Sequence, residues 1–159
     1  YSQRNTSSIQ RTFHEKGEAE SITLQSGDTI HLKRFTNRSQ ITFDKKNNAV
    51  FLDYASIIFP LKIRRVSRND RFQPLGIKKS IPLLPYLKKK QFPAQIRRNV
   101  IIIEDSSETI VWVIGVGISD KCQITLNTKE ILKFEWGGIF KLNEYLTRFQ
   151  TNSNPQFGS

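Results

Sequence analysis

The 159-residue chain contains no methionine, one cysteine and two histidines, and each scarcity removes a class of chemistry. A single cysteine cannot close an internal disulfide, so a small disulfide-stapled scaffold is excluded and a reducing compartment is favoured. His14 and His31 have neither a cysteine nor another histidine at metal-ligand spacing, and they read as surface or strand residues rather than ligands. No apolar run approaches the roughly 20 residues needed to cross a bilayer. No charged-then-apolar leader opens the chain, so nothing indicates secretion and a soluble protein is expected. A chain that starts at Tyr1 and lacks methionine reads as a fragment of something longer.

Acidic residues are also scarce, and the scarcity is local. The chain carries 25 Lys and Arg against 14 Asp and Glu, a net charge of +11. Between Leu61 and Val100 twelve cations stand against one acid: Lys62, Arg64, Arg65, Arg68, Arg71, Lys78, Lys79, Lys88, Lys89, Lys90, Arg97 and Arg98 against Asp70. The remainder of the chain is neutral, so the whole excess lies in one block, and five of the six prolines fall between Pro60 and Pro93. Charge concentrated in this way repels itself unless a polyanion neutralises it, and nucleic-acid phosphate is the commonest such partner.

Apolar residues make up 37% of the chain, including eleven Phe and two Trp, enough for a true core. Their spacing is mostly that of strands. Ser21 to Leu24 and Thr29 to Phe35 read as a hairpin across Gln25 to Asp28, with Ile30 and Leu32 alternating against His31 and Lys33. Gln40 to Phe43 and Ala49 to Tyr54 read as a second hairpin around Asn47 and Asn48. Phe59 to Val66 alternates again. Arg71 to Gly76, with Pro74, reads as a loop. Ser80 is a candidate N-cap for a short helix with Leu83, Leu84 and Leu87 inward, which Pro85 keeps short and Pro93 closes. Val100 to Ile103 and Thr109 to Ile114 should pair as the central hairpin. Cys122 to Leu126 and Ile131 to Trp136 complete the strands, and Ile139, Leu142, Leu146 and Phe149 recur at helical spacing. The expected fold is α+β, mainly β, with a sandwich-like core, one or two short helices between Ser80 and Asn99 and a terminal helix.

No complete catalytic site is legible. Cys122 lies in an expected strand with no histidine nearby in sequence, which suits a small buried hydrophobe better than a nucleophile. Gly115-Val116-Gly117 has two glycines of a dinucleotide fingerprint but neither the third nor a following helix, so a strand end is expected. Asp44 and Asp53 are of the residue type used for acid/base work, but no sequence feature makes them converge.

The basic block carries a further pattern. Arg64-Arg65 precedes Asp70-Arg71-Phe72-Gln73-Pro74-Leu75-Gly76, then come Lys78-Lys79, Lys88-Lys89-Lys90 with Pro93, Arg97-Arg98, and Ile110-Val111-Trp112-Val113-Ile114-Gly115. In that order these strings resemble the C-terminal domain of the tRNA(Ile)-lysidine synthase family from about Phe51 to Trp136. Asn69 stands where the family usually has glycine, a mild change because asparagine also accepts left-handed backbone. The lysine-rich loop at Ile77 to Ser80 is short, and Leu83-Leu84-Pro85-Tyr86 replaces a more polar helix that normally carries an Asp.

The resemblance implies a parent enzyme that adenylates the wobble cytidine of a tRNA with ATP and Mg and then lets free lysine displace AMP, the chemistry residing in an N-terminal ATP-pyrophosphatase domain with a Ser-Gly-Gly-x-Asp-Ser loop. That loop is absent from this sequence, so the chain itself is expected to have no cofactor, no metal and no ligase activity. Its implied role is to hold the tRNA acceptor stem beside the catalytic domain of the same polypeptide, in the cytoplasm, with neither membrane nor DNA as partner. Residues 1–50 would be a β-rich lead-in packed on the same core, 51–136 the tRNA-binding domain, and 137–159 a helix and loose tail. All twelve cations except Lys62 are candidate RNA contacts, with the forks of Arg64, Arg65 and Arg71 expected to outweigh Lys88 to Lys90 unless Asp70 claims Arg71. Phe72 and Tyr86 are candidates for stacking on a terminal base, with core packing favoured for Phe72. Two other classes stay open: a freestanding single-strand or RNA-binding β module, and a basic protein-interaction domain.

Overall fold

The computed structural model of the chain describes residues 11–14, 19–24, 27–41 and 49–137. Eleven strands and two short helices follow one another among these residues. They are β1 (Arg11–Phe13), β2 (Ala19–Thr23), β3 (Thr29–Phe35), β4 (Ala49–Asp53), β5 (Leu61–Arg65), β6 (Arg71–Phe72) and β7 (Ile81–Pro82). Helices α1 (Leu83–Lys89) and α2 (Ala94–Arg98) come next, then β8 (Ile101–Glu104), β9 (Ile110–Val113), β10 (Gly117–Ile118) and β11 (Ile131–Gly137).

One sheet has the order β1-β5-β8-β9-β10 and the other β2-β3-β11-β4, and every pairing is antiparallel. Period-two alternation decides which side chains face inward. In β3, Ile30 and Leu32 are buried while His31 and Lys33 are exposed, and their neighbours in β11, Trp136 and Phe134, are buried with them. The two inner faces meet through aromatic rings. Trp112 of β9 stacks on Phe134 of β11 at 5.2 Å between centroids and 13° between planes, with Trp136 at 5.9 Å. Phe13 of β1 closes on Phe134 at 6.2 Å. Each such pair adds about 1 kcal/mol beyond its area burial. The result is the sandwich-like core expected from the sequence.

The expected central hairpin is present, with Ile103 opposite Trp112 and both strands buried. Asp105 shapes its turn by accepting from the Ser107 and Thr109 amides at 2.9 and 3.2 Å, and it ties the turn to Ile58 N at 3.1 Å. The β2–β3 hairpin is present too, and its turn contains Gly27 at φ +93°, a conformation costly for any side chain. Gly115 to Gly117 carries β9 into β10, the strand end expected from the missing third glycine.

Other expectations are corrected. Arg38–Gln40 is a 3-10 turn capped by Asn37, so Gln40 does not begin a strand, and β4 pairs with β11; residues 42–48, with Asp44 and the rest of the expected second hairpin, lie outside the described residues. Asp53 caps the 3-10 turn Tyr54–Ser56 by accepting from Ala55 N. Cys122 ends another 3-10 turn, Asp120–Cys122, because the Ser119 hydroxyl accepts from Lys121 N and bends the chain. Arg71–Phe72 is a strand rather than loop, paired with Ile81–Pro82, and α1 starts after Pro82 rather than at a Ser80 cap. The expected terminal helix from Ile139 lies outside the described residues.

Candidate nucleic-acid interface

The basic block is an excursion from the edge between two adjacent strands. The chain leaves the sheet after Arg65 and returns at Ile101, its direct partner, and Val66 N donates to Val100 O at 2.9 Å across the gap. Residues 66–100 therefore emerge together at one end of the β5–β8 pair, bearing nine of the cations and the single acid, Asp70.

The excursion is packed down rather than loose. Leu83, Leu87, Phe92 and Ile96 join the core, and Leu83 N donates to Asp70 O at 2.9 Å. The loop after β6 is tied to a distant segment. Asp120 N donates to Gln73 O, and the Asp120 carboxylate accepts from Gly76 N at 2.9 Å and Lys78 Nζ at 3.1 Å. The Gly76 amide bond and the Lys78 ammonium hold the Asp120 carboxyl below its ordinary range, against a smaller opposing effect of burial.

Arg64 is spent inside the fold. Its Nη1 and Nη2 donate to the two Asp70 oxygens at 2.9 and 2.8 Å, its Nε to Glu104 at 3.0 Å, and its remaining N–H groups reach Arg65 O and the second Glu104 oxygen. A guanidinium has five donors, so none is left for a phosphate. The Asp70 hydrogen bonds, with Glu104 adding to them and burial opposing, raise its pKa and keep it charged. Asp70 thus pairs with Arg64, and the competing possibility of an Asp70–Arg71 pair is not what the fold adopts. Arg71 donates to the hydroxyl and carbonyl of Ser80 at 3.2 and 2.9 Å, bracing the β6–β7 pair. Arg97 donates to Phe92 O across the turn between the helices.

Lys78 is paired yet 79% exposed, so its ammonium still faces solvent. Among the described residues no ion pair or hydrogen bond engages the side chains of Arg65, Arg68, Lys79, Lys88, Lys89 or Arg98. All but half-buried Arg65 are exposed. Lys90 Nζ lies over the Tyr86 ring at 5.3 Å from its centroid. Phe72 is buried in the core with its ring 6.3 Å from that of Tyr86, which rules it out as a stacking platform.

Sequence reasoning missed Glu104 and Asp120, because they reach the block from 40 and 42 to 47 residues away and leave no local signal. It also missed a groove of about 680 Å3 between α1 and the loop after β6, lined by Leu75, Ile77, Pro85, Tyr86, Lys89 and Lys90 among others. Pro85 and Tyr86 of α1 form part of one wall of it. The histidines are both exposed, with His31 Nδ1 2.6 Å from the Ser21 hydroxyl, and Cys122 is fully buried with burial pushing its thiol up to about 12. Among the described residues no cluster of His, Cys, Asp and Glu is arranged to hold a metal, and no helix is long and apolar enough to cross a membrane.

Residues 61–136 match the family model of the TilS substrate C-terminal domain. The tRNA(Ile)-lysidine synthases of Caldanaerobacter subterraneus subsp. tengcongensis and Parabacteroides distasonis are 29% and 30% identical over 94 and 89 residues, which is 59% and 56% of this chain. Those stretches are 20% of each relative's length, so the chain matches about a fifth of the curated proteins it resembles. A crystal structure of a TilS C-terminal domain superposes with a TM-score of 0.66 at 20% identity, covering 83% of this chain and 99% of that one. An N-terminal fragment of the phenylalanyl-tRNA synthetase β-subunit from Pyrococcus horikoshii shares the fold more loosely, at a TM-score of 0.50, 17% identity, and coverage of 69% of this chain and 34% of that one. The Arg64-Arg65 strand, the braced Asp70 to Gly76 turn and the Trp112 strand all lie in the matched stretch, and residues 61–136 are similar to the TilS substrate C-terminal domain family.

Proposed function

We propose that this chain is the tRNA-holding C-terminal part of a tRNA(Ile)-lysidine synthase, gripping the acceptor stem while an N-terminal catalytic domain, which would bind ATP and Mg, modifies the wobble cytidine in the cytoplasm. The supporting observation is the 66–100 excursion, where nine cations meet a single acid and that acid is already claimed by Arg64. Base edges in A-form RNA are hidden in a deep groove, so a folded stem is gripped through phosphates and 2′-hydroxyls by shape. A braced surface of point charges suits that task, because cations held on packed elements lose little freedom on contact. With Arg64 withdrawn, the contact set is Arg65, Arg68, Arg71, Lys78, Lys79, Lys88 to Lys90, Arg97 and Arg98, led by those exposed and unengaged.

Titration of tRNA(Ile) at several salt concentrations tests the reading. Lys88→Ala with Lys89→Ala is expected to lower the salt slope by up to about 1.8, at about 0.9 for each lost duplex phosphate contact, with an unchanged melting temperature. Binding no better than to heparin, or an unchanged slope, overturns it in favour of a basic protein-interaction domain.

A further inference from the structure

We propose that the groove between α1 and the loop after β6 receives an unpaired nucleotide at the 3′ end of the bound tRNA, its base against Tyr86 and its phosphate between Lys89 and Lys90. The inference rests on the tRNA-holding reading and adds a second, single-stranded contact to the grip on the stem.

Four features of the groove select this occupant. Its volume of about 680 Å3 lies within the range of about 300–1,000 Å3 typical of small-molecule pockets. Its walls are aliphatic and proline side chains around a half-buried tyrosine ring, which favour a flat heteroaromatic group. Leu75 is 55% exposed in this wall although its surroundings are strongly basic, so the fold leaves apolar surface uncovered there. Charge then narrows the choice. No acid occurs between Asp70 and Glu104, and Lys90 Nζ, over the Tyr86 ring at 5.3 Å from its centroid, is an exposed cation that must swing aside for a base to stack there and then remains within reach of its phosphate.

An acidic peptide would satisfy the charge but not the walls. Pro74, Pro82 and Pro85 line the groove and have no N–H to donate, and Ile77 N is already bonded to Pro74 O at 2.9 Å. An extended peptide would leave backbone carbonyls unpaired against these walls, whereas a base can lay its face on them and keep its polar edges in solvent. Walls that donate so little read no base edge, so the contact should tolerate any base at that position.

Affinity for tRNA(Ile) with its complete single-stranded 3′ terminus, compared with the same tRNA trimmed to a blunt stem, tests the proposal on the full chain. Trimming should weaken wild-type binding about 5- to 100-fold, the effect of one stacked base. Tyr86→Ala should bind both RNAs as the wild type binds the trimmed one, and Tyr86→Phe should restore the difference. Leu75→Ser, at an exposed position, should narrow it without altering the melting temperature, which covers the case of Tyr86→Ala failing to fold. Equal wild-type affinity for the two RNAs overturns the inference and leaves the stem-holding reading standing. A trimming effect that persists in Tyr86→Ala and Leu75→Ser also overturns it, by placing the 3′ end elsewhere. Failure to bind either RNA overturns the reading of function and the inference together.

Discussion

A guanidinium near carboxylates has two possible uses, and at Arg64 the geometry chooses between them. All five of its N–H groups meet acceptors of the fold, and its side chain is only 17% exposed between Asp70 at 12% and Glu104 at 14%. Removing it would leave two poorly solvated carboxylates facing each other. Arg64→Ala is therefore expected to cost about 3 kcal/mol, or roughly 10 °C in melting temperature for a chain of this length. Arg64→Lys should recover little, since an ammonium cannot fork to both carboxylates. Thermal melting in low salt checks both, and a melting temperature within 2 °C or so of wild type would show that the cluster is not structural. With the expected drop in melting temperature, loss of tRNA affinity on changing Arg64 reflects unfolding of the turn, which makes Arg64 an unsuitable probe of RNA contact.

At the scale of elements, the loop after β6 owes its position to Asp120. That carboxylate receives the Gly76 amide, the Lys78 ammonium and the Gln73 and Gln123 side-chain amides. Gly76 sits at φ +87°, where a side chain would be strained, and so its N–H can turn toward the acid. Since the folded pKa of Asp120 lies below its ordinary 3.8, the unfolded chain takes up this proton first. The stabilisation is thus complete above about pH 4 and is lost as the pH falls through the lower, folded value. Urea midpoints from pH 7 down to pH 2.5 should show Asp120→Asn less stable than wild type at neutral pH, the gap closing below about pH 4. A gap independent of pH would assign the whole effect to hydrogen bonding and none to the charge. The same segment explains a misread strand: Cys122 to Leu126 has adequate strand formers, but the Ser119 cap turns the backbone first.

For the whole molecule, the telling feature is the place of β11. It is the last strand described, yet it lies between β3 and β4, both of which precede the stretch that matches the family model. Leu132, Phe134 and Trp136 are buried, and β11 pairs along both edges with strands that come far earlier in the chain. A chain cut to 61–136 would expose both hydrogen-bonding edges of β11 and the Trp112–Phe134 core. It is expected to aggregate or to lack a cooperative unfolding transition by near-ultraviolet circular dichroism, while the full chain shows one. A cooperative, monomeric 61–136 fragment would refute this. The near-complete coverage of the solved TilS domain, 99% of its length, agrees with a unit larger than the matched stretch.

Short-range physics accounts for what could be read from the sequence alone. Alternation in Thr29 to Phe35, the short turn between Val100 to Ile103 and Thr109 to Ile114, and the proline-limited helix at Leu83 are local patterns, and each is present in the fold. The basic block and the string from Asp70 to Gly76 needed only order along the chain, which is why the family was legible before any coordinate. Tertiary structure alone decided which strand β4 joins, which cations are spoken for, and that a groove opens beside Tyr86. Several of those outcomes depend on groups 40 or more residues apart, as Glu104 is from Arg64 and Asp120 is from Lys78. A charge in sequence has a sign and a position, but whether it is free to meet a phosphate is settled only when folding brings its nearest carboxylate into reach.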